Sequence, residues 1–330
     1  MGFLSLIFTY TTKFRNYLYD RFILKVNKVD GVKVVCIGNI TVGGTGKTPA
    51  VQYFSKKYQE LGYSVAIVSR GYKGKRKKDP FVVRDKDKII GNYINSGDEA
   101  YLHSIKLNIP VIVSKNRYEG VLLAKKVYGS NLVILDDGFQ HRRLWRDKDI
   151  VLIDATNPFG GEKLLPKGRL REGLEGLNRA KEFIITKSDL VDKEVLEFIK
   201  EKLKIYKKPI SVASHGPEKL YNRVGKTLEL SKIKGKKVFI FSALANPEQF
   251  EETIKKFNPK KIESISFKDH HLYTDKDYQL IRNKSKEFGA DLIISTEKDY
   301  VKFKEQLEMD KLYTLAIEFK VLEDNICWNF

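Results

Sequence analysis

A glycine-rich segment near the amino terminus has the residue types that bind a polyphosphate. Residues 36–48 read Cys-Ile-Gly-Asn-Ile-Thr-Val-Gly-Gly-Thr-Gly-Lys-Thr, an apolar run followed by glycines and a Lys-Thr pair. Glycines let backbone N–H groups approach phosphate oxygens, the lysine reaches the outer phosphates, and the threonine hydroxyl can bind Mg²⁺. The usual pattern has glycine at the position of Thr41. We predict a nucleotide-phosphate loop formed by Thr41, Val42, Gly43, Gly44, Thr45, Gly46, Lys47 and Thr48.

Two adjacent aspartates, Asp136 and Asp137, follow the apolar run 132–135. A carboxylate at the end of a strand downstream of a phosphate loop is where a Mg²⁺ ligand is expected. The alternative is that these aspartates only cap the next helix. We predict a metal site formed by Thr48, Asp136 and Asp137.

Polar clusters also follow other predicted strands. They are Ser69-Arg70-Gly71-Tyr72, Gly97-Asp98-Glu99, Lys115 with Arg117 and Tyr118, and the segment 164–172, which ends in Arg171 and Glu172. An aspartate before a helix is more often a cap than a catalytic group. However, ligands of parallel sheets gather at the carboxyl ends of the strands, and guanidinium groups suit phosphate binding. We therefore expect these clusters to lie around the phosphate loop.

Asp269, His270 and His271 follow a later predicted strand. Histidine can relay a proton near neutral pH, and an aspartate can orient its ring. Metal binding is less favoured because no third and fourth ligand accompany the pair at a suitable spacing. A surface pair of histidines without a role is the alternative.

The elements that position these residues alternate along the chain. Short β-branched runs predict strands at 32–37, 64–69, 110–113, 132–135, 150–153 and 183–186, and helical patterns occupy 49–61, 98–107 and 117–128. This alternation predicts an α/β fold of P-loop type, a mostly parallel sheet with helices on both faces.

A second, smaller α/β domain is predicted after a β-strand linker. The alternation lapses at 209–234, where 210–213 and 226–230 read as a strand pair, and a new series begins at 237–242. We divide the chain into a P-loop domain at 29–208, a linker at 209–234 and a smaller domain at 235–330. A cleft between two domains is a natural place for a second substrate.

The amino-terminal segment 1–28 predicts an amphipathic helix that associates with a membrane. Charged residues interrupt its apolar run before the roughly 20 residues needed to span a bilayer, and no signal-peptide pattern is present. Apolar side chains recur at three- and four-residue intervals, at Phe3, Ile7, Tyr10, Phe14 and Tyr17. Such a face with basic residues near its edges suits an anionic membrane surface. Packing on its own domain is the alternative.

Composition adds two constraints. The net charge of +19 favours an anionic partner, and the basic run at 73–78 could contact phosphates or be a solvated loop. No nucleic-acid-binding module accompanies the charge, so no nucleic-acid partner is expected. Two cysteines provide no disulfide framework, which indicates a reducing compartment. The oligomeric state is not indicated.

Six motifs occur in an order that resembles one enzyme family. They are GNITVGGTGKTP (38–49), SRGY (69–72), GDE (97–99), DDGFQHR (136–142), LLP-x-G-x-LRE (164–172) and F-x-DHH-x-Y (267–273). Together they resemble the tetraacyldisaccharide 4'-kinases of lipid A biosynthesis. The resemblance implies ATP with Mg²⁺ as cofactors, and transfer of the γ-phosphate to the 4'-hydroxyl of an acylated disaccharide 1-phosphate. It also implies a peripheral or monotopic location at the cytoplasmic face of the inner membrane.

The resemblance also implies roles for individual residues. It matches Lys47 and Thr48 to the phosphate and Mg²⁺ site, and Asp98 to the base, paired with His270. Positions matched to the active-site cleft are Arg70, Tyr72, Glu99, Arg117, His141, Arg171 and Glu172.

Two other functions compete with this one. The segment Thr186-Lys187-Ser188-Asp189 resembles the guanine-reading TKxD motif, which would make the protein a GTP-handling switch or assembly protein. Charge alone suggests a nucleic-acid-binding ATPase. Comparing ATP with GTP as donor separates the first alternative from the kinase.

Overall fold

The computed structural model describes residues 3–244, 246–303 and 311–330, with side chains from residue 7 onward. The predicted contribution of Phe3 to the apolar face therefore lies outside the described side chains, and parts of the predicted segments 1–28 and 235–330 lie outside the described residues. The chain divides into two compact units. The first is Met1–His215 with Phe319–Phe330, and the second is Gly216–Glu318.

The first unit is an α/β sheet domain. Its helices and strands are α1 Phe3–Asp20, β1 Lys33–Gly38, α2 Lys47–Glu60, β2 Val65–Ser69, β3 Phe81–Arg84, α3 Tyr93–Ser96, α4 Asp98–Lys106, β4 Val111–Val113, α5 Arg117–Tyr128, β5 Leu132–Asp136, β6 Lys148–Asp154, β7 Glu182–Thr186, α6 Lys193–Lys204 and β8 Ile210–Tyr221, which continues into the second unit. The strand order is β8-β7-β6-β1-β5-β2-β4-β3. Each pair is parallel except the edge pair of β3 and β4.

The predicted fold class is confirmed. The strands β2, β5, β6 and β7 are buried along their whole length, as a parallel sheet covered by helices on both faces requires. Two separate clusters of buried side chains lie in this unit, one containing Cys36 and Val68 and the other containing Val35 and Ile67. Neighbouring residues on a strand belong to different clusters because successive side chains point to opposite faces. The sequence did not predict β3, a short edge strand that is only partly buried.

The strand pairing predicted for 210–213 and 226–230 is different in the structure. Residues Ile210, Ser211 and Val212 pair in parallel with β7 and extend the first sheet. The strand β9, Thr227–Leu228, pairs instead with the far end of β8, where Leu220 lies opposite Leu228. Hydrophobic runs indicate that strands exist, but they do not identify the partner of each strand.

The second unit is a smaller parallel sheet with helices. Its remaining elements are β10 Lys237–Ser242, α7 Pro247–Lys255, β11 Lys261–Ser266, α8 Asp275–Glu287, β12 Leu292–Thr296, α9 Glu297–Tyr300 and β13 Leu312–Glu323. The strand order is β11-β10-β12-β13, and each pair is parallel. Residues 319–330, which the sequence assigned to this domain, belong to the first unit. Phe319 and Trp328 pack there on the α2 aromatics Tyr53 and Phe54.

The amino-terminal helix α1 packs one face on the first unit and exposes the other. Thr12, Asn16 and Tyr19 are buried, whereas Tyr10, Phe14 and Tyr17 are 69%, 63% and 51% exposed. The buried face includes polar side chains, and one of them, Asn16, forms a hydrogen bond to the domain that is described below. No helix among the described residues has the length and apolar character that crossing a bilayer requires.

Candidate active site

The phosphate loop connects the carboxyl end of β1 to the start of α2. α2 begins at Lys47, directly after Gly46, whose φ of 83° is a left-handed conformation that glycine adopts without strain. A side chain at Gly46 would also collide with the ring of His215. The first N–H groups of a helix have no partner within it and carry the positive end of its dipole. The loop therefore offers backbone donors, the Lys47 ammonium and the Thr48 hydroxyl to one anion.

The segment that carries Arg171 lies along the phosphate loop. The Val42 N–H donates to the Arg169 carbonyl at 2.8 Å, and the Arg171 N–H donates to the Ile40 carbonyl at 2.7 Å. An isolated antiparallel bridge joins Thr41 to Leu170 between these two bonds. Residues separated by about 130 positions are thus held side by side by the backbone. This pairing fixes the Arg171 side chain next to the loop.

Lys47 and Arg171 meet at the carboxylate of Asp137. The Lys47 Nζ lies 3.8 Å from Asp137 Oδ1 and 3.3 Å from Asn39 Oδ1. The Arg171 guanidinium donates through Nη1 to both carboxylate oxygens, at 2.8 and 2.9 Å. Burial alone would raise the pKa of Asp137, but Lys47 and Arg171 outweigh it and hold the pKa below its ordinary value. Asp137 is therefore ionised and orients two cations beside the loop.

Asp136 occupies a different environment from its neighbour. It is the last residue of β5, lies opposite Ile37 of β1 and is buried. Its Oδ2 is 3.2 Å from Nε2 of the buried His103. Its Oδ1 is also buried, and no hydrogen-bond partner for it exists among the described residues. Because a buried carboxylate oxygen without a partner is costly, this atom is a fitting ligand for a cation.

These residues fit a phosphate-bridged Mg²⁺ site better than a site made only of protein ligands. Within the described part of the chain, no three His, Cys, Asp or Glu side chains group closely enough to hold a metal ion. Mg²⁺ commonly keeps several waters and binds one or two carboxylates together with substrate phosphates. Thr48 and the orphaned oxygen of Asp136 match that requirement.

The SRGY and GDE motifs pack directly against each other. Gly97 has φ 83° and ψ 157°, a conformation almost restricted to glycine, and a side chain there would collide with the Tyr72 carbonyl. α4 begins at the next residue, so Asp98 and Glu99 form its first turn. The contact brings the start of this helix next to the turn that carries Arg70, whose side chain is exposed. Close backbone approach thus places two separate motifs at one edge of the sheet.

Part of the basic run at 73–78 has a structural role. The Arg76 guanidinium donates to Asp79 Oδ1 at 2.7 Å and to the Arg70 carbonyl at 3.1 Å. Asp79 in turn accepts the Lys115 N–H at 3.0 Å. Arg76 therefore fixes the turn after β2, rather than serving as a solvated charge.

Arg117 and His141 form an electropositive, partly desolvated pair. Arg117 is buried, and burial together with the Arg70 charge lowers its pKa to about 10. Burial and the Arg117 charge lower the pKa of His141 to about 4, so His141 is neutral at pH 7. The Nε atom of Arg117 and Nε2 of His141 have no hydrogen-bond partner among the described residues. Such unpartnered polar atoms are available to an anionic ligand.

Glu172 connects the phosphate loop to α1. It is completely buried, and both its oxygens accept from Arg179 Nη2, at 2.8 and 2.7 Å. Asn16 of α1 donates to Oε2 at 3.1 Å, and Gln140 donates to Oε1 at 3.0 Å. Because protein groups occupy the carboxylate, we assign Glu172 a positioning role within the predicted cleft.

The Asp-His-His motif lies in the second unit. His271 bonds through Nε2 to Asp277 Oδ2 at 3.0 Å, and its ring stacks on Phe267 with centroids 5.0 Å apart. His270 has its Nε2 3.6 Å from Asp269 Oδ2, which is longer than a hydrogen bond. Because Asp98 and His270 belong to different units, their pairing stays a prediction.

Several residues that support the loop were not predicted. Gln140 donates to the Asn39 carbonyl at 2.8 Å, and Asn39 accepts from Lys47. Thr186 of the TKxD-like segment donates to the Thr45 carbonyl at 3.0 Å, and Lys187 pairs with Asp154 at 2.6 Å. Asn39 and Gln140 lie inside the motifs 38–49 and 136–142, and this position was the signal that could have identified them. Thr186 therefore supports the phosphate loop, and Lys187 is held by Asp154.

Comparisons with known proteins identify the family of this chain. The family model described as tetraacyldisaccharide-1-P 4'-kinase matches residues 1–329. The chain belongs to the tetraacyldisaccharide 4'-kinase family. A member of this family from Elusimicrobium minutum is 38% identical over 92% of this chain and 83% of its own length. Another from Halothermothrix orenii is 36% identical over 97% of this chain and 88% of its own length.

The family fold is also present in a solved structure. A crystal structure of LpxK from Aquifex aeolicus in complex with ATP has a TM-score of 0.76 to this chain and 29% sequence identity. The match covers 96% of this chain and 93% of that one. The similarity therefore covers most of both chains and is not limited to the phosphate loop.

Proposed function

We propose that this protein transfers the γ-phosphate of ATP to the 4'-hydroxyl of a tetraacyldisaccharide 1-phosphate. The product would be the bisphosphorylated precursor of lipid A. The observation that carries the proposal is the pair of cations, Lys47 and Arg171, held on Asp137 beside the phosphate loop of a chain that belongs to this kinase family. The ATP-bound relative supports ATP as the donor.

The donor half of the site positions and neutralises the polyphosphate. Loop N–H groups, Lys47 and the dipole of α2 converge on one anion, and phosphoryl transfer depends mainly on such positioning and charge neutralisation. Asp137 keeps Lys47 and Arg171 oriented before the nucleotide binds. Preorganised charges of this kind require little rearrangement during the reaction.

We place the metal site at Thr48, Asp136 and Asp137. Asp136 offers a buried oxygen without a partner, whereas both oxygens of Asp137 already bind Arg171. We therefore assign direct ligation to Asp136 and an orienting role to Asp137. Mg²⁺ bound there would neutralise charge on the phosphate oxygens.

Asp98 is proposed as the base for the acceptor hydroxyl, oriented by His270. A carboxylate can accept the hydroxyl proton when it lies within hydrogen-bond reach. Asp98 begins α4 directly next to the turn that carries Arg70 and Tyr72. The neighbouring Glu99 belongs to the same helical turn.

The acceptor would bind through three side chains that are close enough for charge effects between them: Arg70, Arg117 and His141. Arg117 is buried with an unpartnered Nε, and the neutral His141 can accept or donate a hydrogen bond. Arg70 adds a second guanidinium, which suits the bidentate recognition of a phosphate. The 1-phosphate and the sugar hydroxyls offer partners for these groups.

The acylated acceptor suggests binding at an anionic membrane surface, and we propose that the protein acts at the cytoplasmic face of the inner membrane. The exposed aromatic face of α1 supports this location, because more than half of each of the Tyr10, Phe14 and Tyr17 side chains is exposed while the opposite face packs on the domain. A basic protein gains further attraction to anionic lipids.

Replacing Phe14 and Tyr17 with serine should weaken vesicle binding. A fully buried aromatic side chain contributes about 1.5–3 kcal/mol, so the affinity for anionic vesicles should fall at least about tenfold. Cosedimentation measures this change.

Removing residues 1–24 would be a less specific test, because it also deletes the Asn16 contact to Glu172. The matched control is Phe198→Ser, a 53% exposed phenylalanine on α6. An equal loss in the control, or no loss in the α1 variant, would reject this role for the α1 face.

Incubation with radiolabelled ATP and tetraacyldisaccharide 1-phosphate tests the function. Label should appear in a bisphosphorylated lipid, and a parallel reaction with labelled GTP should give much less. A strong preference for GTP would favour the switch-protein alternative. Nucleotide hydrolysis that rises with DNA or RNA but not with the lipid would favour a nucleic-acid-dependent ATPase instead.

A further inference from the structure

His103 is a buried histidine to which neither the recognised motifs nor the proposed mechanism assigns a role. It lies in the last turn of α4, five residues after the helix begins at Asp98. Its side chain is completely buried, and buried histidines are uncommon without a polar partner. The helix that starts with the proposed base thus also carries a buried imidazole.

The partner of His103 is the proposed metal ligand Asp136. Nε2 of the imidazole lies 3.2 Å from Oδ2 of the carboxylate, and both side chains are at most 2% exposed. The remaining polar atoms, Nδ1 of His103 and Oδ1 of Asp136, have no hydrogen-bond partner among the described residues. The contact therefore uses one atom of each group and leaves one carboxylate oxygen open.

The chemistry of the two groups determines the direction of the hydrogen bond. A carboxylate that binds a cation only accepts hydrogen bonds, so in the proposed metal site the imidazole donates from Nε2. A buried carboxylate that is held by one oxygen cannot rotate freely, so its second oxygen has a fixed direction. Hydrogen-bonded partners of metal ligands act in this way, and their loss commonly weakens metal affinity about 10- to 100-fold.

We propose that His103 is a positioning residue that holds Oδ2 of Asp136 and so leaves Oδ1 as the oxygen available to the Mg²⁺ of the nucleotide site. This inference rests on the proposed assignment of Asp136 to the metal. It also connects α4 to the nucleotide half of the site. The helix begins with Asp98, and its last turn carries His103, which contacts Asp136. A purely structural role, packing α4 on β5, predicts lost stability without a specific loss of metal affinity.

Replacing His103 with leucine separates these two roles. We expect the affinity for ATP in the presence of Mg²⁺ to fall about 10-fold or more, while the affinity for ATP in EDTA stays unchanged. Isothermal titration measures both affinities without catalysis. His103→Gln places an amide N–H where Nε2 lies and should retain Mg²⁺-dependent binding, whereas the shorter His103→Asn should lose it. If the leucine variant does not fold, the Gln and Asn pair decides the question.

Two controls distinguish the possible failures. Ser104→Ala removes a neighbouring buried hydroxyl that bonds to the Tyr101 carbonyl, not to Asp136, and should bind MgATP normally.

Asp136→Asn should itself weaken Mg²⁺-dependent binding. If it does not, the metal assignment fails, and this inference fails with it. If Asp136→Asn weakens binding but the leucine and asparagine variants of His103 do not, only the positioning role is overturned. Equal losses with and without Mg²⁺ would also overturn it.

Discussion

Replacing Asp98 with asparagine is expected to lower kcat for lipid phosphorylation by about 10²- to 10⁴-fold, the usual contribution of a general base. Asparagine keeps the shape of the first turn of α4 but cannot accept the hydroxyl proton. Because Asp98 is not among the residues proposed to bind the nucleotide or the metal, MgATP affinity should stay near that of the wild-type protein. Single-turnover kinetics with saturating MgATP and isothermal titration measure the two effects.

The matched variant is Glu99→Gln, which removes the neighbouring carboxylate in the same helical turn. We expect a smaller decrease in kcat for Glu99→Gln than for Asp98→Asn. His270→Gln tests the proposed partnership, because residues that act as a unit have strongly non-additive effects. The double variant of Asp98 and His270 should therefore be no slower than Asp98→Asn alone. Multiplied losses would mean independent roles, and full activity of Asp98→Asn would exclude it as the base.

The positions of the strands and of the phosphate loop were predictable because they depend on local sequence. A run such as 132–135 is apolar throughout because helices cover both faces of a parallel strand. The glycines before Lys47 identify the loop because few other residues permit its backbone. These signals span a few residues each, so a single sequence contains them completely.

The different roles of Asp136 and Asp137 were not predictable. Asp137 has a φ of 55°, a left-handed bend directly after β5. The two carboxylates consequently meet different partners: Asp136 contacts His103, and Asp137 contacts Lys47 and Arg171. Adjacent identical residues give the same sequence signal, and only the backbone bend separates them.

Long-range contacts account for the other differences. Glu172 was expected in the cleft, and its partner Asn16 lies 156 residues away on α1. His103 gave no signal, because a single histidine on a helix has no motif that links it to a strand 33 residues later. Both pairings depend on how α1 and α4 pack on the sheet, which periodicity alone does not determine.

Replacing Lys47 with methionine is expected to lower kcat about 10²- to 10³-fold, the usual effect of losing one preorganised donor to a transition-state charge. Methionine fills similar space but removes the ammonium that lies 3.3 Å from Asn39 Oδ1 and 3.8 Å from Asp137 Oδ1. Lys47→Arg should not restore activity, because a planar guanidinium does not replace a compact ammonium there. Lys33→Met, at the opposite end of β1, is the control and should remain fully active.

A double-variant cycle with Asp137→Asn then tests why Lys47 is effective. If Asp137 orients Lys47, as their contact indicates, the two changes should be coupled by about 0.5–3 kcal/mol in the activation free energy, the range found for residues in contact. Asp137→Asn should also change the Mg²⁺ requirement less than Asp136→Asn does, because both Asp137 oxygens already bind Arg171. Additive losses, together with an Asp137 variant that needs more Mg²⁺ than the Asp136 variant, would reverse the assigned roles. Asp137 would then be the direct ligand, and Lys47 would act on the phosphates without its help.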